Sequence, residues 1–127
     1  VVFCVEYIVG KVEQNDLKFN EFSELITNPK MSKAFQLMTY AYLYSKSVLK
    51  DDTSFRAGNY SLRKLEDGLI YVKMGKIPLK MDTLVLDEFE IQLKTLLSEI
   101  VDENTDFYPT TDHDVCTYCD FKKVCGR

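Results

Sequence analysis

Apolar and polar residues along this chain follow two periods, one typical of strands and one typical of helices. Residues 1–9 form an apolar, β-branched run that ends at Gly10, which predicts a strand buried on both faces. The segment "KAFQLMTYAYLYSKSVL", residues 33–49, carries apolar residues around most of its circumference and predicts a central helix that Ser32 can cap. Because a buried strand needs neighbours, we expect the chain to be the C-terminal piece of a longer protein.

Further patterns predict the elements on either side of this helix. Residues 17–28 carry apolar side chains three and four apart, which predicts a short helix that ends before Pro29. The segment "SFRAGNYSL", residues 54–62, predicts a strand in which Gly58 is a bulge or a point of close backbone approach. The segment "GLIYVKM", residues 68–74, predicts another short strand.

A long helix follows, and either Asp82 or Thr83 can cap it. Its apolar residues recur at spacings of three and four: Leu86, Phe89, Leu93, Leu96, Leu97 and Ile100. A polar loop, "DENTDFYPTTDHD", then leads into a cysteine-rich C-terminal segment, residues 112–127. The chain is therefore predicted to mix short strands with two principal helices.

Composition limits the size and the electrostatic character of the protein. With 127 residues, of which 46% are hydrophobic and 28% charged, the chain can bury one core, so we expect a single domain over residues 1–127. The formal net charge of −4 excludes a polybasic reader of nucleic acids, so DNA contact would depend on a local patch. Basic residues are concentrated in the middle of the chain: Lys30, Lys33, Lys46, Lys50, Arg56, Arg63, Lys64, Lys73, Lys76 and Lys80. Such a run is usually a solvated face, and its alternative role is to follow a DNA strand.

The apolar run at residues 1–9 does not predict a membrane segment. It is interrupted by Glu6, is too short to cross a bilayer, and lacks the features of a signal peptide. Four cysteines, three of them clustered, do not match a secreted disulfide framework. We therefore expect a soluble, cytoplasmic protein without a membrane partner.

The cysteine cluster has the spacing of a metal site. Cys116, Cys119 and Cys125 form C-x2-C-x5-C, which supplies three thiolate ligands. His113 extends this to H-x2-C-x2-C-x5-C, which suits a Cys3His zinc site, whereas Cys4 lies in an apolar run where a small buried thiol is the ordinary explanation. Metal binding and three reduced thiols both stay open, and a thioredoxin-type redox pair is disfavoured because no strand precedes the motif.

A second group of residues lies on the predicted central helix. Gln36 and Tyr40 are four residues apart and therefore share one helix face, with Tyr44 a further turn along. Tyrosines in such a helix are usually core residues whose hydroxyls reach solvent. An amide on an apolar helix, if buried, needs partners for both its carbonyl and its NH2 group, so Gln36 indicates a polar site nearby.

Three segments occur in an order that one nuclease family shares. "KAFQLMTYAYLYSK" contains a Q-x3-Y motif at Gln36 and Tyr40, "AGNYSLR" follows as a strand, and residues 89–127 contain a long helix, a Pro-containing loop and C-x2-C-x5-C. This order resembles the C-terminal part of the nuclease domain in the RecB/AddB-like branch of the PD-(D/E)XK nuclease superfamily. The resemblance extends from about Glu6 to the C-terminus. It implies an α/β fold, namely a truncated restriction-endonuclease-like core with a small mixed sheet flanked by helices.

The resemblance also implies a metal-dependent mechanism. In such nucleases an Asp and an (Asp/Glu)-x-Lys motif hold one or two Mg2+ or Mn2+ ions, which activate water and stabilise charge on the scissile phosphate. Glu6 would then be a metal ligand, and Gln36 and Tyr40 would flank the scissile phosphate or the metal site.

The chain departs from the family pattern at the lysine of this motif. The matching stretch is "EYIVG", in which Ile8 occupies the lysine position and cannot supply a cation. Lys11, just beyond the turn, is the candidate substitute. The first metal-binding Asp is expected upstream of Val1. Whether the chain is an active enzyme is therefore open.

For the cysteines, the resemblance implies an iron-sulfur cluster in a full-length parent. Iron-sulfur members of this branch take three ligands from a C-terminal C-x2-C-x5-C, which Cys116, Cys119 and Cys125 match, and one from far upstream. Cys4 does not match that upstream position. We therefore expect a [4Fe-4S] cluster in the parent, and here either no metal or Zn2+ bound with the help of His113.

The function implied is the C-terminal part of a RecB-like exonuclease that hydrolyses DNA phosphodiester bonds in repair and recombination, beside a helicase subunit or domain. One alternative is a nuclease-derived module that has lost catalysis and binds DNA or a partner, which Ile8 favours. Another is a small zinc-stabilised interaction domain. A homodimer in which a second copy completes the sheet is a further expectation.

Overall fold

The computed structural model describes residues 2–47 and 53–126. The chain divides into two compact units, Val1–Leu96 and Leu97–Arg127. Within the described residues, no helix has the length and apolar character needed to cross a membrane.

The main sheet of the first unit contains three strands. Strand β1 (Val2–Ile8) pairs in parallel with β3 (Phe55–Ser61), and β3 pairs antiparallel with β4 (Leu69–Tyr71). Two parallel neighbours need a crossover connection, and helix α2 (Ser32–Ser47), which contacts both β1 and β3, lies within it. This mixed sheet flanked by helices confirms the predicted α/β class.

A second small sheet contains β2 (Lys18–Phe19), β5 (Lys73–Met74) and β6 (Ile77–Pro78). The prediction of one strand over residues 68–74 was therefore wrong, because this segment is divided between the two sheets. The change occurs at Val72, which is fully buried. Its N–H donates to the Ala57 carbonyl at 3.0 Å, whereas its carbonyl accepts from the Leu79 N–H at 2.8 Å, so the backbone leaves β3 at this point.

Strand β1 is not buried on both faces as predicted. In the described part of the chain it pairs only with β3, and its outer face is open, with Tyr7 68% exposed. The apolar character of that face has another cause, because Tyr7 packs against Tyr60 with ring centroids 6.0 Å apart, and Phe3 packs against Tyr71 at 6.2 Å. Cross-strand aromatic pairs of this kind stabilise a sheet face without removing it from water.

The first helix begins later than predicted, because Lys18 and Phe19, within the segment predicted as its start, form β2. Helix α1 (Glu24–Thr27) ends before Pro29, as predicted. The prediction that Ser32 caps α2 was wrong, because a 3-10 turn at Pro29–Met31 runs directly into the helix and Ser32 already has helical backbone angles. Asn28 caps this turn instead, since its Oδ1 accepts from the Lys30 N–H at 3.0 Å. The predicted end of the helix, at residues 48 and 49, lies outside the described residues.

Helix α3 (Thr83–Val101) starts at the predicted cap, where Asp82 Oδ1 accepts from the Val85 N–H at 3.1 Å. Of its apolar stripe, Leu86 and Phe89 are buried. Phe89 packs against two side chains of α2, Phe35 and Tyr42, with centroid distances of 5.8 and 6.2 Å. These contacts attach α3 to the helix that carries Gln36.

An ion-pair network adds to the contact between α2 and α3. Glu90 of α3 accepts from Lys94 at 2.6 Å and from Lys46 of α2 at 3.3 Å. Hydrogen bonds from Lys94, the Tyr42 hydroxyl and Lys46 lower the pKa of Glu90 to about 2. Glu90 is therefore ionised throughout the ordinary pH range.

Candidate functional site

The predicted site residues Glu6, Gln36 and Tyr40 lie together on the first unit. Gln36 Nε2 donates to Glu6 Oε1 at 2.7 Å and to the Tyr40 hydroxyl at 3.0 Å. Strand β1 presents Glu6 toward α2, while the four-residue spacing on α2 places Tyr40 one turn beyond Gln36. The structure thus places the NH2 group of Gln36 against two polar side chains, although Gln36 itself is exposed.

This cluster combines an open side with a buried oxygen. Gln36 and Tyr40 are exposed, so the site is accessible from solution. Glu6 Oε2, in contrast, is buried and has no hydrogen-bond partner within residues 2–47 and 53–126. Burial raises the pKa of Glu6 above its ordinary value, because a carboxylate is less well solvated there than in water.

The residues on either side of Glu6 provide no positive charge. Cys4 and Ile8 lie on the same face of β1 and pack against the apolar core. Burial, and then the nearby charge of Glu6, raise the pKa of the Cys4 thiol, so this cysteine is neutral. Among the described residues no ion pair reaches Glu6, and Ile8, at the position where the resemblance implies a lysine, supplies no cation.

Lys11, the candidate substitute for that lysine, is engaged elsewhere. Its ammonium forms an ion pair with Glu13, and the hydrogen bond and charge of Glu13 raise the pKa of Lys11. The Lys11 carbonyl accepts from Lys33 Nζ at 3.0 Å, and the same Nζ donates to Asp16 Oδ2 at 2.7 Å. The structure therefore does not bring the Lys11 side chain together with Glu6 in the part of the chain that it describes.

Sequence reasoning missed one polar residue of this region, Asn59. It is fully buried on β3, and its backbone is the register partner of Glu6 on β1. Neither Oδ1 nor Nδ2 of Asn59 has a hydrogen-bond partner among the described residues. A signal was available in "FRAGNYS", since Asn59 occupies the same face as the buried residues Phe55 and Ala57.

The next residue on that face is a buried polar residue that, unlike Asn59, has a hydrogen-bond partner. Ser61 is also fully buried, but its hydroxyl donates to the Gly10 carbonyl at 3.0 Å. An unpaired buried polar group is rare in native proteins, and such a group calls for an explanation. Asn59 is therefore an exception that its neighbour on the same strand does not share.

The cysteine-rich segment forms a series of turns in the second unit. Helix α4 (His113–Cys116) is capped by Asp112, and the Cys119 N–H donates to the Cys116 carbonyl at 3.2 Å. Within the described residues, no three side chains from His, Cys, Asp and Glu are arranged to hold a metal ion. The structure therefore does not assemble Cys116, Cys119, Cys125 and His113 into a ligand set, and their metal-binding role stays a prediction.

A basic pocket lies at the second sheet of the first unit. It has a volume of about 320 Å³ and is lined by Gln14, Asn15, Lys18, Lys73, Gly75 and Lys76. Lys73 Nζ donates to Gln14 Oε1 at 2.8 Å, and this hydrogen bond fixes one of the three lysine ammonium groups around the pocket. Lysine and amide side chains around a shallow concavity are suitable for an anion such as a phosphate group.

Comparison with known proteins identifies the family. A family model described as the PD-(D/E)XK nuclease superfamily matches residues 9–126. This chain belongs to the PD-(D/E)XK nuclease superfamily. No curated protein and no solved structure matches it at a comparable level. The match includes Gln36, Tyr40 and the cysteine triplet but begins after Glu6, and it does not distinguish among branches of the superfamily.

PD-(D/E)XK nucleases generally use divalent metal ions, and the chemistry of the present donors fits such an ion. Mg2+ and Mn2+ prefer carboxylate and carbonyl oxygens, and both Glu6 Oε2 and Asn59 Oδ1 are buried oxygens without a partner in residues 2–47 and 53–126. Glu6 supplies the negative charge. Gln36 donates a hydrogen bond to the other carboxylate oxygen, Oε1, which leaves Oε2 available as a metal ligand.

Proposed function

We propose that this chain is the C-terminal part of a RecB-like DNA nuclease of the PD-(D/E)XK superfamily. The observation that carries the proposal is the hydrogen bond of 2.7 Å between Gln36 Nε2 and Glu6 Oε1. It joins α2, which carries the Q-x3-Y motif, to β1, which carries Glu6. Membership of the superfamily supports nuclease chemistry. The branch, the DNA substrate and the role in repair beside a helicase are part of the proposal.

Each side chain of the cluster has a role in this proposal. Glu6 binds the divalent ion through Oε2, while Gln36 fixes the orientation of the carboxylate through Oε1. The Tyr40 hydroxyl accepts the second hydrogen of the Gln36 amide and so prevents its rotation. The bound ion would stabilise the charge that develops on the scissile phosphate.

DNA contact in this proposal depends on local charge. The net charge of −4 provides no general attraction for DNA, so affinity must come from clusters such as Lys18, Lys73 and Lys76 around the basic pocket. A phosphate group of the backbone is the anion that this pocket would accept. Binding should then fall steeply with added salt.

A second candidate function is a DNA-binding module that has lost catalysis. The absence of an ion pair to Glu6 among the described residues favours it, because Ile8 supplies no cation beside the carboxylate. In an active nuclease the lysine at that position helps to orient or deprotonate the attacking water. This candidate keeps the fold and the DNA contact and omits the hydrolysis.

Incubation of the purified chain with linear DNA and Mg2+ or Mn2+ separates the two candidates. Cleavage that is lost in Glu6→Gln and in Gln36→Leu, and kept in the control Glu66→Gln at an exposed carboxylate, supports the nuclease. Salt-dependent DNA binding without cleavage supports the inactive module. If the chain neither binds nor cleaves DNA, both candidates are contradicted. Cleavage that persists in Glu6→Gln contradicts the assigned site.

The remaining partners and cofactors are proposals with separate tests. We propose that the cysteine triplet binds a [4Fe-4S] cluster in a longer parent or Zn2+ with His113, which metal analysis of purified protein would measure. Pairing with a second copy through β1 is supported by its open edge, because β1 pairs only with β3 in the described residues. Light scattering after size-exclusion chromatography would distinguish a dimer from a monomer.

A further inference from the structure

We propose that Asn59 is a second oxygen ligand of the divalent-ion site that Glu6 begins, and this inference rests on the proposed function. Asn59 is completely buried, and both polar atoms of its side chain lack a partner in the described residues. Glu6 Oε2 is buried and unpartnered as well. The structure therefore contains two buried, unpaired oxygens on neighbouring strands.

The register of the sheet places these two residues side by side. Glu6 and Asn59 are partners in the parallel pairing of β1 with β3, and parallel neighbours lie about 4.8 Å apart across the sheet. Residues paired in register project to the same face of a sheet. The relevant face is the one that α2 covers, because Gln36 contacts Glu6 there and Asn59 alternates with the core residues Phe55 and Ala57.

The chemistry of the pair favours a cation. Glu6 carries a negative charge that no ion pair neutralises among the described residues, and the carbonyl oxygen of an Asn side chain is a common ligand of hard divalent ions. A cation bound by Glu6 Oε2 and Asn59 Oδ1 would satisfy both acceptors at once.

The competing explanation is a proton in place of the cation. A neutral Glu6 side chain can donate a hydrogen bond to Asn59 Oδ1, which would make the pair purely structural. The two explanations differ in one measurable respect. A structural pair gives Asn59 no influence on metal affinity, whereas a ligand pair makes affinity depend on the residue at position 59.

The test is a titration of 15N-labelled protein with Mn2+, followed by paramagnetic broadening of amide signals near Glu6. In the wild type we expect broadening of the Gln36 and Asn59 side-chain amides. Asn59→Leu should require about tenfold or more Mn2+ for the same broadening of the Glu6 backbone signal. Asn59→Asp adds a negative charge and should lower the required Mn2+ about tenfold.

Controls separate a ligand from a structural residue. Ser61→Ala, at the adjacent buried polar position on the same face, should bind Mn2+ as the wild type does. Added Mn2+ should raise the melting temperature of Asn59→Asp more than that of the wild type, because an ion that binds only the folded state stabilises it. Thermal melts without metal also show whether each variant folds.

The outcomes distinguish this inference from the proposed function. Wild-type Mn2+ binding that is lost in Glu6→Gln but unchanged in Asn59→Leu overturns the role of Asn59 and leaves the Glu6 site intact. Broadening that is unchanged in Glu6→Gln overturns both. An Asn59→Asp variant that binds Mn2+ no more tightly than the wild type also refutes Asn59 as a ligand.

Discussion

Replacement of Asn59 by leucine should stabilise the metal-free protein. The side chain is completely buried, and neither of its polar atoms has a partner among the described residues. Each unpaired buried polar group costs about 1–3 kcal/mol relative to its solvated state in the unfolded chain. Leucine has a similar size and removes both groups.

The expected magnitude follows from three contributions. Removal of the two unpaired groups is favourable, and a fully buried leucine side chain contributes a further ~1.5–3 kcal/mol of apolar transfer free energy. Imperfect fit of the branched side chain opposes these gains by about 1–3 kcal/mol. With each favourable contribution at the lower end of its range and the opposing one at the middle of its range, the net increase in the free energy of unfolding is about 1.5 kcal/mol.

Urea unfolding monitored by circular dichroism measures this change. The midpoint should move to higher urea while the slope of free energy against urea concentration stays constant. Ser61→Ala is the matched comparison, because the Ser61 hydroxyl already donates to the Gly10 carbonyl and its loss should destabilise the protein by about 1 kcal/mol. A lower midpoint for Asn59→Leu would show that Asn59 is hydrogen-bonded in solution, and the inference of an unfilled ligand position would fail.

Three further predictions concern the sheet, the helix contact and the basic pocket. Gly58→Ala should destabilise the fold by about 1–3 kcal/mol, measured by urea unfolding, since a Cβ at Gly58 would lie 2.8 Å from the Ile70 carbonyl oxygen. Glu90→Gln should lower the melting temperature at neutral pH and have much less effect near pH 2, because the folded-state pKa of about 2 lies below the ordinary 4.5 and most of the stabilisation is lost as pH falls through that interval. An equal deficit at both pH values would contradict this. Replacing Lys73 and Lys76 together with glutamine should reduce the magnitude of the salt slope of DNA binding by about 2, measured by fluorescence anisotropy, and an unchanged slope would exclude the pocket from the interface.

The helical part of the site was predictable because its geometry is local. Gln36 and Tyr40 are four residues apart, and any α-helix places such residues on one face. The cap at Asp82 was predictable for the same reason, since a cap depends on residues only a few positions away. The cap predicted from local sequence at Ser32 was wrong, because a 3-10 turn precedes α2 and Asn28 caps that turn.

The sheet part of the site depends on pairings between distant segments, which no local pattern contains. Asn59 is adjacent to Glu6 only because β1 and β3 pair in one particular register. The division of residues 68–74 depends on the pairing of Val72 with both Ala57 and Leu79, which lie on different segments. The assignment of β1 as fully buried failed because aromatic residues also occupy open sheet faces when they pair across strands.

The parallel pairing of β1 with β3 has a consequence for how the protein folds. Its two strands are far apart in sequence, and the helix that bears Gln36 lies between them. Contacts with large sequence separation form only after the entropy of closing the intervening loop has been overcome, which slows folding. The carboxylate, the glutamine and the buried asparagine therefore come together only when β1 and β3 pair, so the cluster depends on both strands and on the helix between them.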